Sequence, residues 1–590
     1  MPSPIEDYAW IGDQRTGALI SREGSIDWMC VPRFDSPAVF CALLGDETNG
    51  HWKVAIRDGR VVERHYEGDT MVLRTHWEGP GGSATVTDFM PVLEHGSQVV
   101  RTVTCTAGRV TVEQELALRF SYGSVVPWVR RVEHQGATLL AAVAGASQVH
   151  LSGPLPTPED HRHTGSVELG TDESVCWVLT SSHSWQEPTA AVVPDQALKE
   201  TIARWRAWSA QVSTDGPYAP YVRRSLLVLN SLTHRETGGI VAAPTTSLPE
   251  DFGGERNWDY RFCWLRDAAL TLEALLVHGL DGGATAWRDW LLRAVAGDFE
   301  DLQIMYGVDG DRQLPERELD HLPGYAGSRP VRVGNGAVTQ YQADVIGEVM
   351  LALAQLRDLS GPGDSFSWSL QRTLLRYLDI NFDTMDHGIW EMRGDPHYFT
   401  HGRVMMWAAF DQGLRAVAEH GLPGDVELWE RRRAQLEAEI WERGYDEKTS
   451  SFTQTYGGST VDASLLQLPH TGFVAHDHPA MVGTVRRIEA ELVDDHGFVR
   501  RYLTDGADGL AGEEAPFLIC TFWLVEHYAH VGRVAEATAL MDNLVSITSE
   551  VGLLAEEYDP VKKRHAGNYP QAFSHLALVR AADALAQVTG

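Results

Sequence analysis

The pattern of hydrophobic and polar residues changes near residue 190. Before that point, short runs with alternating or β-branched residues are separated by Gly, Asp and Pro, which is typical of an antiparallel β-sandwich. The strands predicted from these runs are 17–20, 24–28, 51–56, 70–77, 84–90, 99–105, 108–120, 128–133 and 175–180. From about residue 218, apolar residues recur instead with the 3.6-residue period of helices.

Twelve helices are predicted in this second part. Their ranges are 217–235, 262–279, 284–299, 338–359, 364–383, 402–420, 424–442, 459–468, 478–492, 514–531, 533–549 and 570–588. Short and long connections alternate between them, which indicates six hairpins closed into a double ring, an (α/α)6 barrel. Functional residues are expected on the long connections, because long loops in compact domains usually carry function. These connections are 236–261, 300–337 and 493–513.

The chain is therefore predicted to be a multidomain β plus α protein. An N-terminal antiparallel β-sandwich domain is expected over 1–193, a linker helix over 194–216 and an (α/α)6 barrel over 217–590. A length of 590 residues agrees with more than one domain.

The charge balance excludes some partners. The chain has 49 Lys and Arg against 81 Asp and Glu, a formal charge of −32. Such a surface repels phosphate backbones and anionic lipid, so neither nucleic acid nor a membrane is an expected partner. The six cysteines are dispersed without CxxC pairs, and neither a signal peptide nor an apolar stretch of membrane-spanning length is visible. We expect reduced thiols and a cytoplasmic location.

Common catalytic motifs are missing from the sequence. It has no P-loop, dinucleotide fingerprint, HExxH or GxSxG motif, so nucleotide, zinc-hydrolase and serine-hydrolase chemistry are not indicated. His397 and His401 are four residues apart and could face one metal ion on a helix. Without an acidic base at a suitable spacing, they are interpreted as surface or substrate-contacting histidines. No metal and no cofactor are expected.

Carboxylates set among aromatic residues carry the candidate chemistry. Asp267 follows Arg266 near the start of a predicted helix, and Tyr260 and Trp264 precede them. The pair is either a helix cap with its salt bridge or a holder of sugar hydroxyls, with the two rings offering flat apolar faces. Sugars need both kinds of contact, because their rings have apolar faces and hydroxyl rims.

Two further clusters contain glutamates. Glu391 follows Trp390 in an apolar stretch, where desolvation favours the protonated state that a general acid needs. The alternative is an interface residue beside a rim residue. Glu556 and Glu557 are adjacent before the last helix, either as a solvated pair or as carboxylates at the mouth of the barrel. Two carboxyls on loops at one end of a barrel fit glycoside hydrolysis, in which one protonates the leaving oxygen and the other activates water.

Three motifs resemble those of glycoside hydrolase family 15, the glucoamylase, glucodextranase and microbial trehalase group, over nearly the whole chain. They are Trp264-Leu265-Arg266-Asp267-Ala268, Ile389-Trp390-Glu391 and Leu554-Ala555-Glu556. The resemblance implies a β-sandwich followed by an (α/α)6 barrel, with Glu391 as general acid and Glu556 as general base. The substrate-binding residues that we expect are Tyr260, Trp264, Arg266, Asp267, Asn335, Trp390, Arg501 and Glu557.

Two departures from the family pattern concern the leaving sugar. Fungal glucoamylases carry a second acid after the general acid, whereas Met392 follows Glu391 here. The tryptophan of their second-site loop is replaced near residues 328–330. Both changes favour a small saccharide over starch.

The resulting hypothesis is an inverting, exo-acting α-glucoside hydrolase that releases β-D-glucose, with trehalose as first choice of substrate. Glu391 is expected to be neutral and Glu556 ionised, with the carboxyls about 6.5–9.5 Å apart. Malto- or isomalto-oligosaccharides are the alternative substrates. A disaccharide phosphorylase and a non-catalytic sugar-binding protein are alternatives of other classes, the former disfavoured because Glu556 would repel phosphate. The expected partner is a small saccharide, and the sequence does not indicate an oligomeric state.

Overall fold

The computed structural model describes residues 2–297, 301–361, 365–504 and 508–589. The last residues of predicted helix 284–299, the first residue of predicted helix 364–383 and parts of predicted connections 300–337 and 493–513 lie outside these ranges.

Fifteen antiparallel strands of the described chain form the N-terminal sandwich. They are β1 Tyr8–Gly12, β2 Gly17–Ser21, β3 Ser25–Cys30, β4 Ala38–Phe40, β5 His51–Ile56, β6 Arg60–Tyr66, β7 Leu73–Gly79, β8 Gly82–Phe89, β9 Ser97–Ala117, β10 Trp128–His134, β11 Ala137–Ala144, β12 Ser147–Ser152, β13 Thr157–Glu159, β14 Arg162–Gly170 and β15 Ser174–His183. The main path through the sheets runs β1-β2-β3-β5-β9-β15-β12-β11-β10.

Strand β9 joins the two layers of the sandwich. Its first half pairs with β8 and β15, and its second half pairs with β5 and β14. The sequence predicted two separate strands, 99–105 and 108–120, and this was wrong. Gly108 has φ 71°, so the chain bends at this residue without leaving the sheet. Gly108, which the sequence pattern indicates as a turn, therefore lies at a bend within one continuous strand.

Twelve α-helices follow the sandwich within the described ranges. They are α1 Pro194–Ser209, α2 Ala219–Ser231, α3 Leu265–Val277, α4 Asp281–Ala294, α5 Asp344–Ser360, α6 Ser365–Ile380, α7 Thr400–His420, α8 Val426–Glu439, α9 Pro479–Glu491, α10 Leu518–His530, α11 Val534–Ser546 and α12 Ala572–Thr589. The α-helix predicted over 459–468 is instead a 3-10 helix, Ala463–Thr471. It contains Pro469, whose ring blocks regular α-helical hydrogen bonding. None of the described helices is both long and apolar enough to cross a membrane.

The helices form a double ring. Helices α3, α5, α7, the 3-10 helix, α10 and α12 contact one another in sequence, and α12 closes the ring on α3. Helices α2, α4, α6, α8, α9 and α11 pack outside them. The inner α3 is buried along nearly its whole length, whereas the outer α8 buries only Trp429 and Leu436. The predicted (α/α)6 barrel is confirmed, with the 3-10 helix in one of its six inner positions.

Short two-stranded antiparallel sheets lie on the connections between the barrel helices. They are β16 Cys263–Trp264 with β17 Met305–Tyr306, β18 Arg317–Glu318 with β19 Arg332–Val333, β20 Tyr445–Asp446 with β21 Ser451–Phe452, and β22 Glu557–Asp559 with β23 Arg564–Ala566.

The sandwich packs against the connection between α2 and α3. Trp28 Nε1 donates to the carbonyl of Pro244 at 2.8 Å. Arg261, buried on the same connection, donates to the carbonyl of Ser36 at 2.8 Å and to the hydroxyl of Tyr122 at 2.9 Å. Arg261 directly follows Tyr260, so the sandwich holds the backbone that presents this candidate site residue.

Candidate active site

One pocket opens where the inner helices α3, α7, α10 and α12 begin. Eight of the ten predicted site residues line it, namely Tyr260, Trp264, Arg266, Asp267, Asn335, Trp390, Glu391 and Arg501. The other two, Glu556 and Glu557, are 0% exposed and lie behind the pocket wall. The interpretation of these two as a solvated pair is therefore wrong. They start the segment that leads into α12, and their side chains face Tyr260 and Arg501 respectively.

Glu391 sits in a tight turn before α7. Its φ of 59° is unusual for a residue with a side chain, and such backbone strain is found preferentially at functional sites. Its Oε1 accepts a 2.6 Å hydrogen bond from Trp264 Nε1, and Arg266 Nη2 lies 3.5 Å from the same oxygen. The side chain is 20% exposed. The surroundings of this carboxyl are thus polar on one side, whereas the neighbouring sequence indicated a largely apolar setting.

Glu556 is held from two sides. The hydroxyl of Tyr260 donates to Oε1 at 2.7 Å, and the backbone N–H of Asn568 donates to Oε2 at 3.3 Å. Gly567, with φ 73°, lets the chain pass close to this carboxyl, because a Cβ there would stand 2.5 Å from Oε2. Burial raises the pKa of Glu556 well above its ordinary value, and the negative charge of Glu250 adds to the rise. Glu556 therefore binds a proton more tightly than an exposed glutamate does, and the ionised state expected for it stays a prediction.

The rings of Tyr260 and Trp264 connect the two carboxyls. They pack edge to face with centroids 5.5 Å apart, the arrangement that aromatic quadrupoles favour. Tyr260 donates to Glu556 and Trp264 donates to Glu391. One aromatic pair therefore orients both glutamates at the same pocket.

Arg266 and Asp267 start α3 at the floor of the pocket. Arg266 donates to Oε1 of Gln342 at 3.0 Å, and its guanidinium lies 3.5 Å from Asp267 Oδ2. Burial raises the pKa of Asp267 to about 7, against the opposing effect of the Arg266 charge. The salt bridge predicted in the cap interpretation is present, and Oδ2, the buried oxygen that faces Arg266, accepts no hydrogen bond.

Arg501 is surrounded by carboxylates. Its Nη2 donates to Glu250 at 2.8 Å, to Glu514 at 2.7 Å and to Glu557 at 3.0 Å. Glu557, predicted to contact substrate, thus binds Arg501 instead and is not part of the pocket lining. Its second oxygen is buried without a hydrogen-bond partner.

Asn335 and Trp390 line the pocket but are also tied into the fold. The side chain of Asn335 accepts from the backbone of Ala337 at 2.9 Å and donates to the carbonyl of Asp259 at 3.3 Å. Trp390 Nε1 donates to Asp462 at 2.9 Å, which leaves the indole face for the pocket.

Several pocket residues were not predicted as site residues. Glu250 and Arg256 come from the long connection that was expected to be functional, and Arg256 donates to Asp508 at 2.6 Å. Trp258 lies between two guanidiniums, with Arg332 at 4.5 Å and Arg393 at 4.3 Å from its ring centroid. Trp258 lies in the same short segment as Tyr260. This proximity in the sequence was the one signal that could have identified Trp258 as a pocket residue.

The residues considered for metal binding do not form an obvious site. His397 is exposed and precedes α7, while His401 is buried in its first turn, so the two do not share a helical face. Burial lowers the pKa of His401 to about 3. Glu250, Glu556 and Glu557 each bring an oxygen within 4.8 Å of the others. The guanidinium of Arg501 already serves two of these carboxylates as counter-cation.

Comparison with known proteins identifies the family of the chain. The family described as "Glycosyl hydrolases family 15" matches residues 216–583, and the family described as "Trehalase-like, N-terminal" matches residues 1–151. A trehalase of Mycolicibacterium smegmatis is 35% identical to this chain, with 98% of this chain and 90% of that protein covered. A trehalase of Thermoplasma volcanium is 33% identical, with 98% and 93% covered.

A solved structure shares the architecture. The structure of a bacterial glucoamylase complexed with acarbose superposes with a TM-score of 0.71 at 12% identity, covering 99% of this chain and 96% of that one. Fold, pocket and relatives together define an enzyme that hydrolyses O-glycosyl bonds. The chain belongs to glycosyl hydrolase family 15, as the resemblance of its motifs implied.

Proposed function

We propose that this enzyme hydrolyses trehalose with inversion, using Glu391 as general acid and Glu556 as general base. The observation that carries the assignment of the two roles is the aromatic pair Tyr260–Trp264, whose two hydrogen bonds orient the two glutamates. The proposed mechanism requires these two carboxyls to flank one glycosidic bond, with room for a water molecule between them.

Glu391 is suited to protonate the leaving oxygen. Trp264 and Arg266 both approach its Oε1, so Oε2 is the oxygen that can carry the proton and deliver it to the glycosidic oxygen. Its side chain is partly exposed and lines the pocket, which supports a position beside the bond to be cleaved.

Glu556 is suited to take a proton from water. Hydrogen bonds from Tyr260 and from the backbone of Asn568 stabilise its ionised form. A raised pKa makes the ionised carboxylate a stronger base, and a base works best when its pKa is near the working pH. In the proposed mechanism Glu556 takes this proton from a water molecule on the side of the pocket where Tyr260 and Glu250 lie.

We prefer trehalose as the substrate because this chain matches two trehalases over nearly the whole of their lengths. Arg266 and Asp267 are proposed to hold hydroxyls of the first glucose, with Asp267 Oδ2 as an acceptor. Trp258 and Arg393 stand at the pocket beside Glu391 and are proposed to contact the leaving glucose.

A phosphorylase is disfavoured by the charge of the site. Phosphate would have to approach Glu556 past Glu250 and Glu557, and the nearby Arg501 is already bound to carboxylates. Such a cluster repels an anion. The cytoplasmic location expected from the sequence stays a prediction.

The test is to incubate the protein with trehalose, maltose, isomaltose, kojibiose and soluble starch and to follow the products by NMR. Inverting cleavage of trehalose should release one β-glucose and one α-glucose per bond at early times, because only the glucose attacked by water is inverted. Release of α-glucose alone would indicate retention. Glucose 1-phosphate in phosphate buffer would indicate a phosphorylase, and cleavage of maltose or isomaltose but not trehalose would move the assignment to those substrates.

Glu391→Gln and Glu556→Gln are the decisive variants. Each should lose at least about a thousandfold in kcat, given the size of acid–base contributions, while thermal unfolding stays close to that of the wild type. Near wild-type turnover in either variant would refute that residue's role.

A further inference from the structure

Glu250 was not predicted as a site residue, yet it lines the pocket. It lies on the connection between α2 and α3 and is 3% exposed. Its Oε2 accepts from Arg501 at 2.8 Å, whereas its Oε1 is buried and has no hydrogen-bond partner. Part of the negative charge of Glu250 is therefore not compensated by a hydrogen-bond donor.

Glu250 stands close to the proposed base. One oxygen of Glu250, one of Glu556 and one of Glu557 all lie within 4.8 Å of one another. Like charges at such a separation in a buried place strongly oppose each other's ionisation. The carboxyl of Glu250 is also the member of this group that reaches the pocket lining.

Several other groups act on Glu556. Tyr260 precedes α3 and donates to Glu556, Arg501 precedes α10, and His575 of α12 accepts from the backbone of Leu554. The pKa of His575 is lowered to about 3 by burial, so His575 is neutral. The charged and titratable groups nearest Glu556 are thus Glu250, Tyr260, Arg501, Glu557 and His575. Glu514 lies one contact further away, on Arg501, and Glu391 acts on Tyr260.

The balance of these charges is negative. Arg501 is the cation beside Glu556, and Glu250, Glu514 and Glu557 share one of its nitrogens. After burial, the charge of Glu250 is the strongest influence that raises the pKa of Glu556, and it also raises the pKa of Glu557. The short distance between the carboxyls and the effect on the pKa therefore both identify Glu250 as the residue that acts on Glu556.

We propose that Glu250 strengthens Glu556 as a base: its carboxylate, held by Arg501 and left free at Oε1, makes Glu556 bind a proton more tightly. Glu250 acts through Glu556 and is a positioning residue rather than a catalytic one. With Glu250 beside it, ionised Glu556 removes a proton from water more readily. As a result, the acidic limb of the profile of kcat/KM against pH lies at higher pH. The proposal rests on the proposed function, in which Glu556 is the base.

The variant that tests this is Glu250→Gln, which keeps the size of the side chain and an oxygen for Arg501 but removes the charge. The midpoint of the acidic limb of kcat/KM for trehalose should move to lower pH by about one unit or more, and the plateau should fall severalfold because the base is weaker. The two profiles should therefore cross, with the variant faster than the wild type at acidic pH.

Glu514→Gln is the matched control. Glu514 is similarly buried, 6% exposed, and binds the same guanidinium, but it is not one of the three carboxyls grouped around Glu556. Its loss should move the acidic limb much less. An equal shift in both variants would show a general effect through Arg501 and would overturn the proposal.

Other outcomes are also decisive. An unchanged midpoint in a folded Glu250→Gln protein would overturn the proposal, and a raised KM with that unchanged midpoint would make Glu250 a sugar contact instead. If Glu250→Gln does not fold, Glu250→Asp retains the charge at a greater distance from Glu556 and should give a smaller shift in the same direction; no shift there would overturn the proposal. A wild type that does not cleave trehalose, or a fully active Glu556→Gln, would refute the proposed function itself.

Discussion

Tyr260 and Trp264 contact each other edge to face, at 74° between their planes, and each is bound to a different glutamate. The two residues are four positions apart: Tyr260 precedes β16, and Trp264 is the last residue of β16 before α3. A displacement of either ring would therefore disturb both proposed catalytic carboxyls. This relationship allows the two hydrogen bonds to be removed one at a time.

Removing the hydroxyl of Tyr260 should leave a smaller fraction of Glu556 ionised at neutral pH. In Tyr260→Phe, Glu556 loses a donor that stabilises its ionised form. Its pKa should rise further, so the acidic limb of kcat/KM should move to higher pH, opposite to the shift expected for Glu250→Gln. A hydrogen bond to a charged group is worth about 1.5–3 kcal/mol, which corresponds to a loss of roughly tenfold or more near neutral pH. A pH–rate profile measures both effects, and a shift to lower pH would contradict the prediction.

Trp264→Phe should affect the acid and leave the base nearly unchanged. The substitution retains an aromatic ring beside Tyr260 but removes the indole N–H that binds Glu391. We expect kcat on trehalose to fall up to roughly tenfold, because a hydrogen bond that orients Glu391 is lost. The acidic limb, which Glu556 determines in the proposed mechanism, should keep its midpoint. Steady-state kinetics across pH would show this, and a wild-type kcat would rule out a contribution of this hydrogen bond.

Gly567→Ala should impair both stability and turnover. A Cβ at residue 567 would stand 2.5 Å from Oε2 of Glu556, on a backbone with φ 73°. Gly457 is the matched control, because its φ is 69° but no atom lies within 4 Å of its would-be Cβ. Gly457→Ala should therefore cost only the backbone strain, about 1 kcal/mol. Thermal unfolding and kcat of both variants should show a larger loss for Gly567→Ala, and equal losses would contradict the role given to this close approach.

Stability should fall as the pH rises above about 5. Burial raises the pKa values of Glu250, Glu556 and Glu557, so the folded state binds their protons more tightly than the unfolded state. Their contribution to the free energy of unfolding is full below the unfolded pKa of about 4.3 and is lost as the pH rises through the folded values. The melting temperature should decrease between pH 5 and pH 8. In Glu557→Gln, which keeps an acceptor for Arg501, the decrease should be smaller; an equal decrease would contradict the prediction.

The sequence predicted much of the fold but not its details. The 3.6-residue periodicity identified the helices, even though an inner helix such as α3 is buried on nearly every face. Gly108 could not be distinguished from a turn, because the pairing of both halves of β9 depends on strands far away in the chain. The 3-10 helix was missed because the effect of Pro469 on a short apolar run is not visible in the periodicity.

The site was predicted where the sequence neighbours carry the chemistry. Glu391 and Glu556 were identified beside Trp390 and within the Leu-Ala-Glu segment. Their electrostatic surroundings were not, because the groups that contact them come from distant segments. Trp264 reaches Glu391 across 127 positions, and Tyr260 reaches Glu556 across 296. Glu250 was missed for the same reason, since nothing beside it in the chain indicates that it faces the base.

The guanidinium of Arg261 has a consequence for how the two domains depend on each other. It is fully enclosed, bound to Asp259 within the barrel and to Ser36 and Tyr122 of the sandwich. A barrel produced without the sandwich would leave this buried cation with Asp259 as its remaining partner, next to the residue that supports the proposed base. The N-terminal half is in this sense an internal scaffold for the connection that carries Tyr260.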